Sequence, residues 1–538
     1  MNLIRKMLIP GLAIFFTFSF TLIEQKEEWE QALEKIDLQN IRAYIKFLSD
    51  DLFEGRGTGT RGHELAAQYV ANQFDLMGLK PGGENGTFFQ DVALKKGNKD
   101  FAGSEISLFR NKEKISFSYM DDYVFIDGPS ENITGKSEIL FAGFGIYAPD
   151  KNHNDYKNLN IKDKFVVLFS GAPAGFSSDF PASTRSAKFA EAKKRGAKGI
   201  IYMIRPEEMK TVTWEVLQNY FADPNGHGMS LREETSANKT IEIILSPSGM
   251  SKLLGEQKPD DLINKKKNSA VKNIEYSLNL KTDHIENLTS PNVIGILEGT
   301  DPALKSEYIV YTAHLDHEGI GKPVDGDSIY NGAYDNASGT AIILEIAEAF
   351  ASLSQKPKRS IMFIALTAEE KGLLGSRYFA ANPTVPISSI AANINTDMFL
   401  MEEALNEIVV LGAPFSDLGQ YAEEAARYLE LEIVPDPVPE ENLFVRSDHY
   451  SFVEKGVPAL FVVNNYRKAS SDSDTTAVNT RWLKTIYHSP KDEFYEEMNF
   501  EAGVKYGRFN FMVGYKAAQQ AEKIRWKKDN VFGQRFGS

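Results

Sequence analysis

The stretch IMFIALTAEEKGLLGS, residues 361–376, runs apolar and then stops abruptly at two adjacent glutamates, Glu369 and Glu370. A run of Ile, Met, Phe and Leu that ends at a turn and gives way to GLLGSRYFAANP reads as a strand buried on both faces, followed by a helix. Its surroundings repeat that alternation. Working outward, NVIGILEG, EYIVYTAHLD, AANINTDM, EIVVLGA and VPALFVVN read as strands, while SGTAIILEIAEAFASL and DLGQYAEEAARYLE read as helices. Strands separated by helices predict an α/β fold with a mixed, mostly parallel sheet flanked by helices. In such sheets chemistry is placed beyond the carboxyl ends of the strands.

Further from that stretch the texture changes. Residues 27–52 carry helical spacing, DLFEGRGTGTRG forms a glycine-rich turn, and HELAAQYVANQFDLMGLKPGG reads as a second amphipathic helix. Residues 131–275 hold short strands (SEILFAGFGI, DKFVVLFSGAPAG, AKGIIYMI, TIEIILS) around one helix, STRSAKFAEAKKRGAKG. This block predicts a β-rich insert with βαβ character, so that 24–130 and 276–538 are the two parts of one larger domain. Arg5 and Lys6 precede the mostly apolar residues 7–23, which is the layout of an export signal. No clear small-x-small cleavage pattern follows, which leaves an uncleaved N-terminal anchor as the alternative and as the one expected route to a membrane. The expected location is periplasmic or extracellular.

Composition narrows the chemistry. At 538 residues the chain is too long for one compact core. Lys and Arg number 60 against 74 Asp and Glu, a net charge of −14, which argues against nucleic acid as a partner. The sequence contains no cysteine, so a transition metal would have to be held by His, Asp and Glu.

Such residues gather just after the strands. EYIVYTAHLDHEGIG places His314 and Asp316 at one strand end, NGAYDNASG places Asp335 in the turn opening a helix, ALTAEE delivers Glu369 and Glu370, NINTDM gives Asp397 and TIYHSPKDE gives His488. Each alone has a plain structural explanation: Asp335 as a helix cap, His314 as a satisfied buried histidine, the glutamates as a solvated helix start. Their arrival at one edge of one sheet favours chemistry. Nitrogen and oxygen ligands without thiolates favour zinc over calcium or magnesium, with one carboxylate able to bridge two ions and another free as a general base. His317 and Glu318, next to the cluster, read as solvated loop residues.

The stretches HLD, GAYDNASG, TAEEKGLLGS, NINTD and YHSPKDE, in that order, resemble the signature segments of the zinc aminopeptidases of peptidase family M28. LSDDLFEGRGTGTRGHELAAQYVANQFDLMGLKPGG is similar to the family's N-terminal lead-in, and FAGFGIYAP, DKFVVLFSGAPAG and AKKRGAKGII resemble a protease-associated (PA) domain inserted in one branch. The resemblance implies a zinc-peptidase/phosphorylase-like α/β/α fold and two zinc ions per chain. It implies Asp335 as the bridging ligand, His314 and Asp397 on one zinc, Glu370 and His488 on the other, and Glu369 as general base. It also implies Asp316 as the carboxylate that orients His314, and a cis peptide bond after Asp335. Tyr334 departs from the family pattern, which often has an acidic residue there. RSDHYSFVEKGVPAL resembles a segment beside the active site, leaving Asp448 and His449 open between a substrate or metal contact and a structural pair.

The implied activity is removal of N-terminal residues from peptides or proteins. Glutaminyl cyclases of the same fold, carboxypeptidases or dipeptidases of the same family (with Arg446 and Arg467 as weak candidates for a carboxylate clamp) and inactive binding relatives are the alternatives. The insert's role stays open between gating access, contacting protein substrates and supporting a dimer.

Overall fold

The computed structural model describes residues 27–537 apart from 101–102, 111–112, 128–131, 174–175, 177–183, 206–208, 210–212, 216, 219–228, 233–239, 260–261, 264–272, 279–280, 400, 438–442 and 465–484. The expected export segment at 7–23, Arg467 and most of the loop before His488 lie outside the described residues. Among the described residues no helix is long and apolar enough to cross a membrane.

Two sheets organise the chain. The larger holds β1 (Phe89–Asp100), β2 (Met229–Leu231), β3 (Lys281–Leu297), β4 (Tyr308–His314), β5 (Ser360–Leu366), β6 (Ile390–Asn395), β7 (Glu407–Leu411), β8 (Glu432–Ile433) and β9 (Ala459–Asn464), in the order β2-β1-β3-β5-β4-β6-β9-β7-β8. Its four central strands, β5, β4, β6 and β9, run parallel, with antiparallel pairings where β3 meets β5 and where β9 meets β7. The central strands are buried on both faces because their residues alternate between two cores. Ile309, Tyr311 and Ala313 of β4 face a core shared with the helices Gly339–Ser352 and Phe500–Gln519. Val310 faces the other, with Met362, Phe379 and Phe452. Apolar residues at every position of these strands are therefore what two covered faces demand.

The expected lead-in helix of residues 27–52 is two helices, Glu28–Leu33 and Leu38–Leu48. The Asp37 side chain caps the second by accepting the amides of Gln39 and Asn40. The Asp37 amide in turn donates to Glu345 Oε2 at 2.7 Å, tying this helix to the buried face of Gly339–Ser352. Burial, reinforced by the nearby charge of Glu348, pushes the Glu345 carboxyl up to about 8. The native state thus holds a proton that the unfolded chain releases near pH 4.5, and stability is lost as pH rises from that value to about 8. Glu345→Gln keeps an acceptor for the Asp37 amide without a charge. It is expected to raise stability by about 1–3 kcal/mol at pH 8 and to change little at pH 4; thermal melts of both proteins at the two pH values check this.

The second sheet orders strands Glu113–Phe117, Glu105–Arg110, Asn273–Leu278, Ile133–Phe141, Phe165–Phe169, Gly199–Met203, Ile241–Leu245 and Tyr123–Asp127, the last antiparallel to its neighbour. Four consecutive members, from Ile133–Phe141 to Ile241–Leu245, are parallel. Helix Arg185–Lys194, capped by Thr184, is the expected interposed helix, and a second, Pro247–Leu254, capped by Ser246, follows strand Ile241–Leu245. This sheet takes strands from Glu105 to Leu278, on both sides of the expected insert of 131–275, while the short strand Met229–Leu231 pairs with the main sheet. Those partners are long-range, and local texture carries no record of them.

Candidate metal centre

The parallel strands deliver their polar residues where the sequence places them, at the carboxyl edge of the main sheet. His314 is the last residue of β4, Glu369 and Glu370 follow β5, and Asp397 follows β6. Asp335 sits in a tight turn between Gly332 and the helix beginning at Gly339, and its bond to Asn336 is cis. His488 comes from a distant segment and stands with its ring stacked on Tyr487, 3.8 Å between centroids.

These groups converge. The ligand atoms of His314, Asp335 and Glu370 lie within 4.8 Å of one another, as do those of Glu318, Glu370 and His488. His314 Nε2 is 3.2 Å from Asp335 Oδ1 and 3.1 Å from Asp397 Oδ1. His488 Nε2 is 3.3 Å from Asp335 Oδ2 and 3.0 Å from Glu370 Oε2. The two oxygens of Asp335 therefore face two different histidines.

The hydrogen bonds around the cluster show which atoms remain free. His314 Nδ1 lies 3.0 Å from the Asp316 carbonyl oxygen, so that nitrogen carries a proton and Nε2 is the nitrogen that faces two carboxylates. Asp397 Oδ2 accepts the Ser447 hydroxyl at 2.5 Å, leaving Oδ1 for His314. The amides of Tyr334 and Asp335 donate to the two oxygens of Asp492, at 2.9 and 3.0 Å, which fixes the turn and leaves the Asp335 carboxylate to the histidines. Arg56, fully buried, donates to the carbonyls of Leu315, Asn331 and Gly332, clamping the turn after His314 to the turn before Asp335.

Two expectations are corrected. The Asp316 carboxylate does not orient His314: it accepts the Thr58 hydroxyl at 2.8 Å and the Glu369 amide at 3.1 Å, and the contact to His314 comes from the Asp316 backbone carbonyl. Two residues past the strand end, chain direction turns that side chain toward β5. His317 and Glu318 are not solvated loop residues. His317 is 0% exposed, with Nδ1 2.8 Å from Glu370 Oε1, and Glu318 Oε2 accepts the buried Lys371 ammonium at 2.5 Å.

Asp448 is buried near the cluster, and burial pushes its carboxyl up to about 7, with the charge of Asp397 adding to the effect against His314. His449 is structural: its Nε2 donates to the Phe444 carbonyl at 2.6 Å, and burial lowers its pKa to about 3, so it is neutral. Arg446 is exposed. Asp492, Ser447 and Arg56 lie inside stretches whose motifs are readable, but their partners are backbone groups and side chains far along the chain.

The electrostatics call for a cation. Burial alone would lower the pKa of His314, yet Asp397, Glu369 and Asp335 outweigh it and drive it well above the ordinary range. His488 behaves alike through Glu370 and Asp335. Donor atoms 3.0–3.3 Å apart match the edge of a tetrahedron whose bonds are about 2.0 Å, the length of zinc–nitrogen and zinc–oxygen bonds. The donor set and spacing fit divalent ions on either side of Asp335.

Residues 292–504, which contain all of these ligand candidates, match the model of Peptidase family M28. That segment belongs to peptidase family M28. A "Probable zinc metalloprotease" of Pyrenophora tritici-repentis is 36% identical over 235 residues, covering 37% of this chain and 53% of the relative. The aminopeptidase YwaD of Bacillus subtilis is 29% identical over 255 residues, covering 47% and 50%. The chain thus spans about half the length of these curated relatives. An aminopeptidase from Aneurinibacillus sp. strain AM-1 superposes on 92% of this chain and 97% of its own, with a TM-score of 0.52 at 18% identity. That likeness is one of fold and reaches beyond the matched segment.

Proposed function

We propose that this protein is an exported di-zinc peptidase that removes N-terminal residues from peptides. The observation that carries the reading is the division of Asp335: Oδ1 faces His314 with Asp397 beside it, and Oδ2 faces His488 with Glu370 beside it. His314 and Asp397 would hold one ion, His488 and Glu370 the other, and Asp335 both. Zinc bound there would polarise a peptide carbonyl and lower the pKa of a water toward about 7.

The chain's own residues supply the rest. Glu369 is one backbone step from Glu370 in the turn that follows β5, and on this reading Glu370 serves as ligand while Glu369 serves the water and the substrate. The Asp316 carboxylate holds the Glu369 amide at 3.1 Å. Burial, with Glu370, Asp397 and Asp448 nearby, raises the Glu369 carboxyl well above its ordinary range despite the opposing charge of His314. A carboxylate so placed accepts a proton readily and returns it to the leaving amine. The names of the relatives, a probable zinc metalloprotease and an aminopeptidase, support this assignment.

A panel of aminoacyl-anilides, assayed with and without chelator and after zinc add-back, tests the reading. Activity is expected to fall by at least about 100-fold on chelation and to return with zinc. Free-amine peptides should be cleaved and N-blocked peptides should not. Preference for N-blocked peptides would assign carboxypeptidase or endopeptidase action instead. The apolar residues 7–23 behind Arg5 and Lys6 support export, which fractionation of the producing cells checks. The unit built on the second sheet carries the stretches that resemble a PA domain, and its deletion would show whether it governs access to larger substrates.

A further inference from the structure

We infer that His317 is a positioning residue for the second metal position, holding Glu370 to a single free oxygen. The inference rests on the two-zinc reading above and goes beyond it, because neither the motif nor that reading gives His317 a role.

Two of the three ligand carboxylates have one oxygen pinned and the other free, and the third is held through its backbone amide. Asp397 is pinned through Oδ2 by Ser447, and Asp335 through its amide by Asp492. Glu370 is pinned through Oε1, at 2.8 Å, by His317 Nδ1. A carboxylate oxygen only accepts, so Nδ1 is the protonated nitrogen and His317 donates. Glu370 Oε2 then remains, 3.0 Å from His488 Nε2. Without the pin the carboxylate could rotate and present either oxygen or both.

His317 itself is held from several sides. Its amide donates to the Arg56 carbonyl at 3.3 Å, and Gly57 forms a bridge with it, so the lead-in loop fixes its backbone. Its ring packs on Gly332, where an added Cβ would come within 2.6 Å of the imidazole carbons and 2.1 Å of the Asp335 carbonyl oxygen. Gly332 also has φ of +60°, so both its conformation and the ring require glycine. The ring of His488 lies 5.7 Å away and nearly perpendicular. On the same turn, Glu318 binds Lys371, the residue after Glu370, and its Oε1 stands 3.6 Å from His488 Nδ1. Residues 317 and 318 therefore bracket both ligands of one ion and neither exclusive ligand of the other. Neighbours that orient ligands in this way typically change metal affinity 10–100-fold.

The test is zinc titration of the full chain against a competing chelator, followed by thermal melts. Wild type is expected to bind two zinc ions; fewer would overturn the two-zinc reading itself. With two bound, His317→Ala should weaken one ion about 10–100-fold and leave the other unchanged. His317→Asn places a side-chain amide where Nδ1 lies and should restore most of the loss. The inference is overturned if the alanine variant melts like wild type and binds both ions equally tightly, or if a folded asparagine variant loses zinc as fully as alanine, as it would if His317 were itself a ligand.

Discussion

Glu369→Gln is expected to retain full zinc content and an unchanged melting temperature while kcat falls by about 10²–10⁴-fold, the range general acid–base catalysis supplies. The substitution preserves volume, and the amide that anchors the residue to Asp316 belongs to the backbone, so the strand end keeps its geometry. The neighbouring carboxylates Glu370 and Asp397 are left in place, so zinc content measured beside turnover distinguishes a lost base from a lost ligand. Metal analysis beside kcat and KM separates the two roles of the glutamate pair. Normal turnover in the glutamine variant would remove Glu369 from the reaction, and loss of zinc would mean that the two neighbours have exchanged duties.

That pair shows what was legible in the sequence and what was not. The central strands and the positions just after them could be read locally, because a strand buried on both faces is apolar throughout and ends where polar residues begin. The convergence of His314, Asp335, Glu370, Asp397 and His488 was legible because each sits in its own short motif, three of them at the end of a central strand. His317 was not. A histidine in a glycine-containing turn has the same local signature whether solvated or enclosed, and what encloses it comes from Arg56, Gly332 and Glu370. The direction of the Asp316 side chain failed for a related reason: two residues past a strand end, backbone turning decides between His314 and Thr58, and Thr58 is remote in sequence. Asp492 was visible within YHSPKDE, but its partners are the amides of Tyr334 and Asp335. The start of the second sheet at Glu105 depends on pairing with Asn273–Leu278, a contact no window of residues contains.

Asp335→Ala carries the largest expected loss of metal, with both ions absent under conditions where wild type retains two. Each of its oxygens faces a different histidine, at 3.2 and 3.3 Å, so its removal unpairs both halves of the site at once. Asp397→Ala and Glu370→Ala each open only one half and should keep one ion. The fold should survive in Asp335→Ala, because the bonds that shape the turn are made by the amides of residues 334 and 335 to Asp492, and by Arg56 to the carbonyls of 331 and 332. In the metal-free protein the loss relieves carboxylate crowding against Glu370 but also removes the histidine contacts that hold the Asp335 carboxyl below its ordinary range, two effects of opposite sign. Apo variant and apo wild type should therefore melt within a few degrees of each other. They should part when zinc is added. Binding to the native state alone stabilises by RT ln(1 + [L]/Kd), about 2.7 kcal/mol for one site at a hundredfold excess over Kd, so wild type should gain several degrees and the variant almost none. Retention of one tightly bound ion by Asp335→Ala would show that one histidine–carboxylate pair suffices without the shared residue, and the bridging role would have to be withdrawn.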